Sequence, residues 1–202
     1  MIPSARIRFI GVLTALTFWM PAIAPSAEED DSWAGYGSIS VGGIWPFLDV
    51  SRTGQDAMYF GTEVAASVGL EMTWLRWDVA EIAYNWADSN VDGIKGSTSL
   101  LSLGTGFRVG PFRKGYRFYP YASLGFAGAR METQGTGAFT EYSNWGFEWN
   151  VGFGAEARIT DRFRAGLRYR YRSASSKAVP EFSRGVVTAD IDIHSLSIEL
   201  VY

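Results

Sequence analysis

Between Trp145 and Ile159, apolar and polar side chains alternate with period two. Trp145, Phe147, Trp149, Val151, Phe153, Ala155, Ala157 and Ile159 fall on one face. Gly146, Glu148, Asn150, Gly152, Gly154, Glu156 and Arg158 fall on the other. Successive side chains of a strand point to opposite sides, so this pattern predicts a strand with one apolar face. The alternation resumes after Thr160-Asp161. Phe163, Ala165, Leu167, Tyr169 and Tyr171 share a face against Arg162, Arg164, Gly166, Arg168, Arg170 and Arg172. So short a link predicts a tight hairpin.

The same reading predicts strands near 33–44, 61–74, 76–89, 97–109, 116–131, 145–159, 162–173 and 188–202. In the second, Val64, Ala66, Val68, Leu70 and Met72 oppose Glu63, Ser67, Gly69, Glu71 and Thr73. In the third, Ala80, Ile82, Tyr84 and Trp86 oppose Val79, Glu81, Ala83 and Asn85. In the fourth, Leu101, Leu103, Thr105, Phe107 and Val109 oppose Ser102, Gly104, Gly106 and Arg108. The first and fifth alternate less cleanly, and their faces stay unassigned. In the last strand Ile191 and Ile193 are out of phase with Leu196, Ile198 and Leu200. Either a β-bulge near His194-Ser195 resets the register, or the upper part of the strand stands above the apolar zone.

Connection lengths alternate. Short links are expected near Leu75, from Gly110 to Gly115 and at Thr160-Asp161; long ones at 45–60, 90–96, 132–144 and 174–187. In membrane barrels, short turns lie on one side of the membrane and longer loops on the other.

Alternation alone does not say which face is inside. A soluble barrel turns its polar face outward, and a membrane barrel turns its apolar face to lipid. The distribution of aromatics decides between them. Trp74, Trp77, Phe107, Phe112, Tyr119 and Phe163 lie near the short turns. Trp45, Trp86, Trp145, Trp149 and Tyr171 lie near the long links. Two rings of amphipathic aromatics are what the two membrane–water interfaces favour. The expected fold is therefore all-β: an eight-stranded antiparallel up-and-down transmembrane β-barrel. Its interface aromatics are Trp74, Trp77, Trp86, Trp145, Trp149, Tyr171 and Tyr202.

Composition narrows the chemistry. The 202 residues carry 18 basic and 21 acidic side chains, a net charge of -3, which argues against a nucleic-acid partner. With no cysteine and one histidine, thiol sites and multi-histidine metal sites are excluded, and no cofactor is expected. At the N-terminus, Arg6 and Arg8 precede an apolar stretch from Phe9 to Met20, then small residues up to Ala27 and an acidic run from Glu28 to Asp31. This order predicts a cleaved secretory signal over 1–27 and a barrel domain over 28–202. The apolar stretch is short of the ~20 residues a spanning helix needs.

Leu196, Ile198, Leu200 and Tyr202 alternate down to a last aromatic residue. This ending resembles the terminal signal of bacterial outer-membrane proteins. The segments Phe118-Tyr119-Pro120-Tyr121-Ala122-Ser123-Leu124-Gly125 and Gly166-Leu167-Arg168-Tyr169-Arg170-Tyr171 resemble small barrels of the OmpA-transmembrane-domain, OmpX and opacity-porin type. The resemblance implies residence in the bacterial outer membrane. It also implies contact with outer-membrane lipid and lipopolysaccharide, and recognition by the barrel-insertion machinery through the strand ending in Tyr202. It leaves the oligomeric state open. The implied role is non-enzymatic: structural, adhesive or in surface recognition. A narrow channel for small or apolar solutes is the alternative.

The main candidate site is the polar face. Glu63, Glu71, Glu81, Glu148 and Glu156 stand against Arg108, Arg158, Arg164, Arg168 and Arg170. Eight strands enclose a space that side chains can fill, so these charges are expected to form an ion-paired luminal plug. Arg172 is expected to reach past the lumen to the outer rim. His194-Ser195 is the one hint of nucleophilic chemistry, as in lipid A-modifying hydrolases, and the two would meet only through a bulge. Gly135-Thr136-Gly137 and Ser173 to Lys177 read as surface loops. Trp45-Pro46-Phe47-Leu48 reads as a loop dipping to the membrane or over the barrel mouth.

Overall fold

The computed structural model describes residues 33–50, 57–58, 60–91, 94–112, 116–135, 142–178 and 187–202. The signal segment expected over 1–27 and the loop core at Thr136-Gly137 lie outside the described residues. The strands are β1 (Ala34–Val50), β2 (Ala57–Met58), β3 (Phe60–Glu71), β4 (Leu75–Val91), β5 (Ile94–Val109), β6 (Phe118–Gly135), β7 (Tyr142–Arg158), β8 (Arg164–Ala178) and β9 (Val187–Val201). Eight of them pair antiparallel in chain order, and β1 also pairs with β9, which closes the barrel. The two-residue β2 pairs with Phe47 and Leu48 at the top of β1. Closure removes free sheet edges, which a backbone crossing hydrocarbon requires. At the seam, Gly37 and Tyr202 exchange two backbone hydrogen bonds of 2.9 Å. The Tyr202 ring lies 5.0 Å from that of Phe163.

The turns form where the alternation breaks. Between β3 and β4, Met72 N–H donates to the Leu75 carbonyl at 2.7 Å. Between β7 and β8, the Thr160 hydroxyl accepts from the amides of Arg162 and Phe163, a side-chain cap suited to a tight link. At the opposite end, strand pairing continues into the described parts of the expected long loops. Pairing continues to Val91↔Ile94, Thr133↔Tyr142 and Ala178↔Val187. The segment from Trp45 to Leu48 is not a loop but the upper part of β1, with Trp45 opposite His194 and Val50 opposite Ala189. The segment from Ser173 to Lys177 likewise belongs to β8. Backbone hydrogen bonds between neighbouring strands extend the pairing beyond the cleanly alternating stretches, so alternation does not reveal it.

The apolar faces point outward. Val41, Leu103, Leu124, Phe126, Phe153, Leu167, Ile198 and Leu200 are exposed in a continuous band. Among the described residues, no helix is long and apolar enough to cross a membrane; strands do the crossing. Trp74 and Phe163 lie at the turn end of the band, and Trp145, Trp149 and Tyr171 towards its hairpin end. Between Trp149 and Ile159, a strand rising about 3.3 Å per residue and tilted about 40° climbs roughly 25 Å, the height of a barrel's lipid-facing zone.

Two strands unreadable by pattern are ordinary in space. Tyr36, Ser38, Ser40 and Ile44 of β1 face inward, as do Tyr119, Tyr121, Ala129 and Met131 of β6. Each strand carries apolar residues on both faces, which hid the alternation. Two inward tyrosines lie across glycines of the neighbouring strand: Tyr36 opposite Gly69 and Tyr121 opposite Gly154. A Cβ on Gly154 would meet the Tyr121 ring at 2.6 Å.

The register shifts once within β4, between Asp78 and Glu81. There Val79 and Ala80 both face outward, which corrects the assignment of Val79 to the polar face. Of the two alternatives for the last strand, the bulge near His194-Ser195 is absent. Pairing runs without a shift through Ile193, His194 and Ser195 on both sides of β9. Ile191 and Ile193 are instead inward-facing residues, in phase with Ser195, Ser197 and Glu199.

Candidate functional site

Inward residues fill the barrel in three layers. At the hairpin end, Ile44, Ala87, Leu100, Ala129, Met131, Ala174, Ile191 and Ile193 form a buried apolar cluster. β1, β4, β5, β6, β8 and β9 all contribute to this cap, so it spans the mouth. At the turn end, Phe112, Tyr119 and Tyr121 are buried together. Phe112 follows β5 and is buried. The Arg76 guanidinium lies between its ring, at 4.1 Å, and that of Tyr36, at 4.6 Å. Arg164 sits over Tyr119 at 5.3 Å. Such cation–π stacking holds a buried cation without displacing its ionic partners.

The ionic layer lies between these ends and divides into two sets. In the lower set, Arg76 pairs with Glu156 at 2.6 Å and Glu71 at 2.5 Å, and Arg164 pairs with Glu71 at 2.6 Å. Arg108 pairs with Asp78 at 2.9 Å and Glu199 at 2.7 Å. The hydroxyls of Tyr36 and Ser67 donate to Asp78, and that of Tyr121 donates to Glu199 at 2.9 Å. In the upper set, Arg170 pairs with Glu63 at 2.8 Å and with Glu81. Arg172 reaches Glu148 at 2.8 Å, Glu63 at 3.2 Å and Glu81 at 3.3 Å. Arg168 pairs with Glu81 at 3.2 Å, and Ser102 donates to Glu148. A charge taken from water is tolerated only when paired and hydrogen-bonded. Here each carboxylate meets at least one guanidinium.

The structure brings together nine of the ten expected charged residues: Glu63, Glu71, Glu81, Arg108, Glu148, Glu156, Arg164, Arg168 and Arg170. Arg158 is the exception. It is exposed beyond the turn end and pairs with Asp161 at 2.7 Å, because its strand finishes there. Arg172 does not reach the outer rim; it is fully buried in the upper set. Three members were not expected. Glu199 is in phase with Ser195 and Ser197 on the inner face. Arg76 and Asp78 precede the β4 bulge, so alternation extended back from Glu81 places them on the wrong side. The bulge residues Val79-Ala80, both apolar, are the signal that could have revealed the change of phase.

His194 and Ser195 point to opposite sides. His194 faces outward, with Nδ1 2.7 Å from the Tyr169 hydroxyl, and Ser195 faces inward and donates to the Arg170 carbonyl at 3.3 Å. No bulge joins them. Among the described residues, no group of acidic, histidine or cysteine side chains is arranged to hold a metal ion.

Residues 10–202 match the family described as the outer membrane protein beta-barrel domain. Among individual proteins, the chain is 26% identical over 100 residues to a 25 kDa outer-membrane immunogenic protein of Brucella abortus, a match covering 48% of this chain and 43% of that protein. The corresponding protein of Brucella canis is 27% identical over the same span. The matched region is thus under half the length of these relatives. The fold is similar to that of Neisserial surface protein A, with a TM-score of 0.59 and 14% identity, over 84% of this chain and 97% of that one. A closed eight-stranded barrel with an apolar outer band, matched by the family over nearly its whole length, is a protein of the bacterial outer membrane: the chain belongs to the outer membrane protein beta-barrel family.

Proposed function

We propose that this protein is a non-conducting, non-enzymatic surface protein, in which the barrel is an anchor and the four hairpins above the membrane make the external contacts. The observation that carries this reading is the filling of the lumen from end to end: apolar cap, paired charges, aromatic base. A solute would have to part several layers of packed side chains to pass. The opposed directions of His194 and Ser195 favour a non-enzymatic role. The name of the Brucella relatives, outer-membrane immunogenic protein, fits exposure at a surface.

The partners follow from the same reading. Residues 1–27 act as a cleaved export signal, and the insertion machinery reads the last strand with Tyr202. The upper aromatics Trp86, Trp145, Trp149 and Tyr171 lie at the level of lipopolysaccharide, and the lower ones, Trp74, Trp77 and Tyr202, at the inner leaflet. The deciding experiment is conductance of the refolded barrel in planar bilayers. Absence of discrete steps is expected. Reproducible ion-conducting steps would replace this reading with a narrow channel.

A further inference from the structure

The two ionic sets are joined by one long ion pair among those of the described residues, Arg168 Nη1 to Glu199 Oε1 at 4.0 Å. A cavity of about 10 Å³ lies beside it, lined by Asp78 of the lower set and by Glu81 and Arg168 of the upper. Ser102, Thr105, Ser123 and Asn150 add to its polar lining. The space exists because the inner wall of β5 and β6 is built from small residues here: Gly104, Gly106, Gly125 and Ala127. Two buried polar atoms of the lining lack a hydrogen-bond partner, Arg168 Nε and Ser123 Oγ. Arg168 is only 3% exposed. A buried donor left unpaired is costly, so the site calls for a partner.

We propose that this cavity is a binding site for one internal water molecule that links the upper and lower ionic sets. The volume fits a single water, which needs roughly 10–15 Å³ and two to four polar partners. Chemistry selects water over an ion. The carboxylates of Asp78 and Glu81 repel an anion, and the guanidinium of Arg168 repels a cation. A neutral molecule that donates and accepts at once suits all three. It accepts from Arg168 Nε, exchanges a hydrogen bond with Ser123 Oγ, and has the Asn150 amide as a third partner. The inference rests on the sealed lumen proposed above only for how slowly the water exchanges, and not for the site itself.

The test is a crystal structure of the detergent-refolded barrel, resolved well enough to show ordered water, with parallel crystals soaked in rubidium or bromide. One density peak within about 3.2 Å of both Ser123 Oγ and Arg168 Nε, without anomalous signal, is the expected result. No density, or an anomalous peak from either ion, overturns the proposal. Ser123→Val removes the hydroxyl and fills the space. In that variant the peak is lost and the barrel unfolds at lower urea concentration. A peak that survives Ser123→Val would also overturn the assignment. Bilayer conductance is measured separately, so failure of the seal and failure of the site give different results.

Discussion

The Thr105 hydroxyl donates to the Asp78 carbonyl at 2.7 Å, at the bulge of β4. The bulge costs that strand a ladder contact inside the lipid zone, where an unpaired carbonyl is expensive. Thr105 supplies the missing donor, and its own oxygen accepts from Trp77 Nε1 at 2.9 Å. The lipid-facing side thus repairs a backbone irregularity that turns Arg76 and Asp78 inward.

Thr105→Val keeps the shape and removes this repair. It should destabilise the barrel by about 1–3 kcal/mol, read by urea unfolding in lipid vesicles. Thr105→Ser should recover most of the loss. Equal stability of the wild-type and valine proteins would show that the bulge needs no capping.

Arg172 meets three carboxylates in the upper set. Arg172→Met leaves buried negative charge uncompensated and should cost roughly 3–5 kcal/mol. Arg158→Met removes only an exposed pair with Asp161 and should cost less than about 1 kcal/mol. The same unfolding assay compares them. Similar costs for both would place Arg172 outside the buried network.

Gly154 makes room for Tyr121 to reach Glu199. Gly154→Ala should push the ring away and cost about 1–3 kcal/mol through crowding. In the background of Tyr121→Ala the same change should cost less, because the ring is gone and only the Leu167 carbonyl, 2.7 Å from the added Cβ, still crowds it. A double-mutant cycle measures the coupling, and simple additivity would mean the contact carries no energy.

Orientation is testable because the chain has no cysteine. Asp88 is exposed at the hairpin end, and Asp161 is exposed in the β7–β8 turn. On intact cells, a membrane-impermeant maleimide should label Asp88→Cys and leave Asp161→Cys unlabelled until the outer membrane is opened. The reverse pattern would invert the barrel.

Much of this architecture was legible as pattern. β7 and β8 alternate without a break, since each sets one face in lipid and the other in a charged lumen, and a residue of the wrong kind on either face is costly. That contrast yields the strand count, the outward apolar face and most of the ionic residues. It fails where the contrast fades. β1 and β6 hide their phase because Tyr36, Ile44, Tyr121 and Met131 line the inside while other apolar residues line the outside. Ile191 and Ile193 look misplaced for the same reason: the lumen is not polar throughout, and their apolar neighbours come from five other strands.

The sequence by itself determined that the chain is a closed barrel with its apolar face in lipid, because period-two alternation is a local property enforced at nearly every residue. It also determined that charge of both signs lies inside. Only the tertiary structure decided which carboxylate meets which guanidinium, since partners such as Arg170 and Glu63 are brought together across the lumen from distant strands. The bulge that turns Arg76 and Asp78 inward was likewise decided there, because a one-residue slip reverses every side chain beyond it. So were the apolar cap and the aromatic base, because each is assembled from residues that no run of sequence holds together.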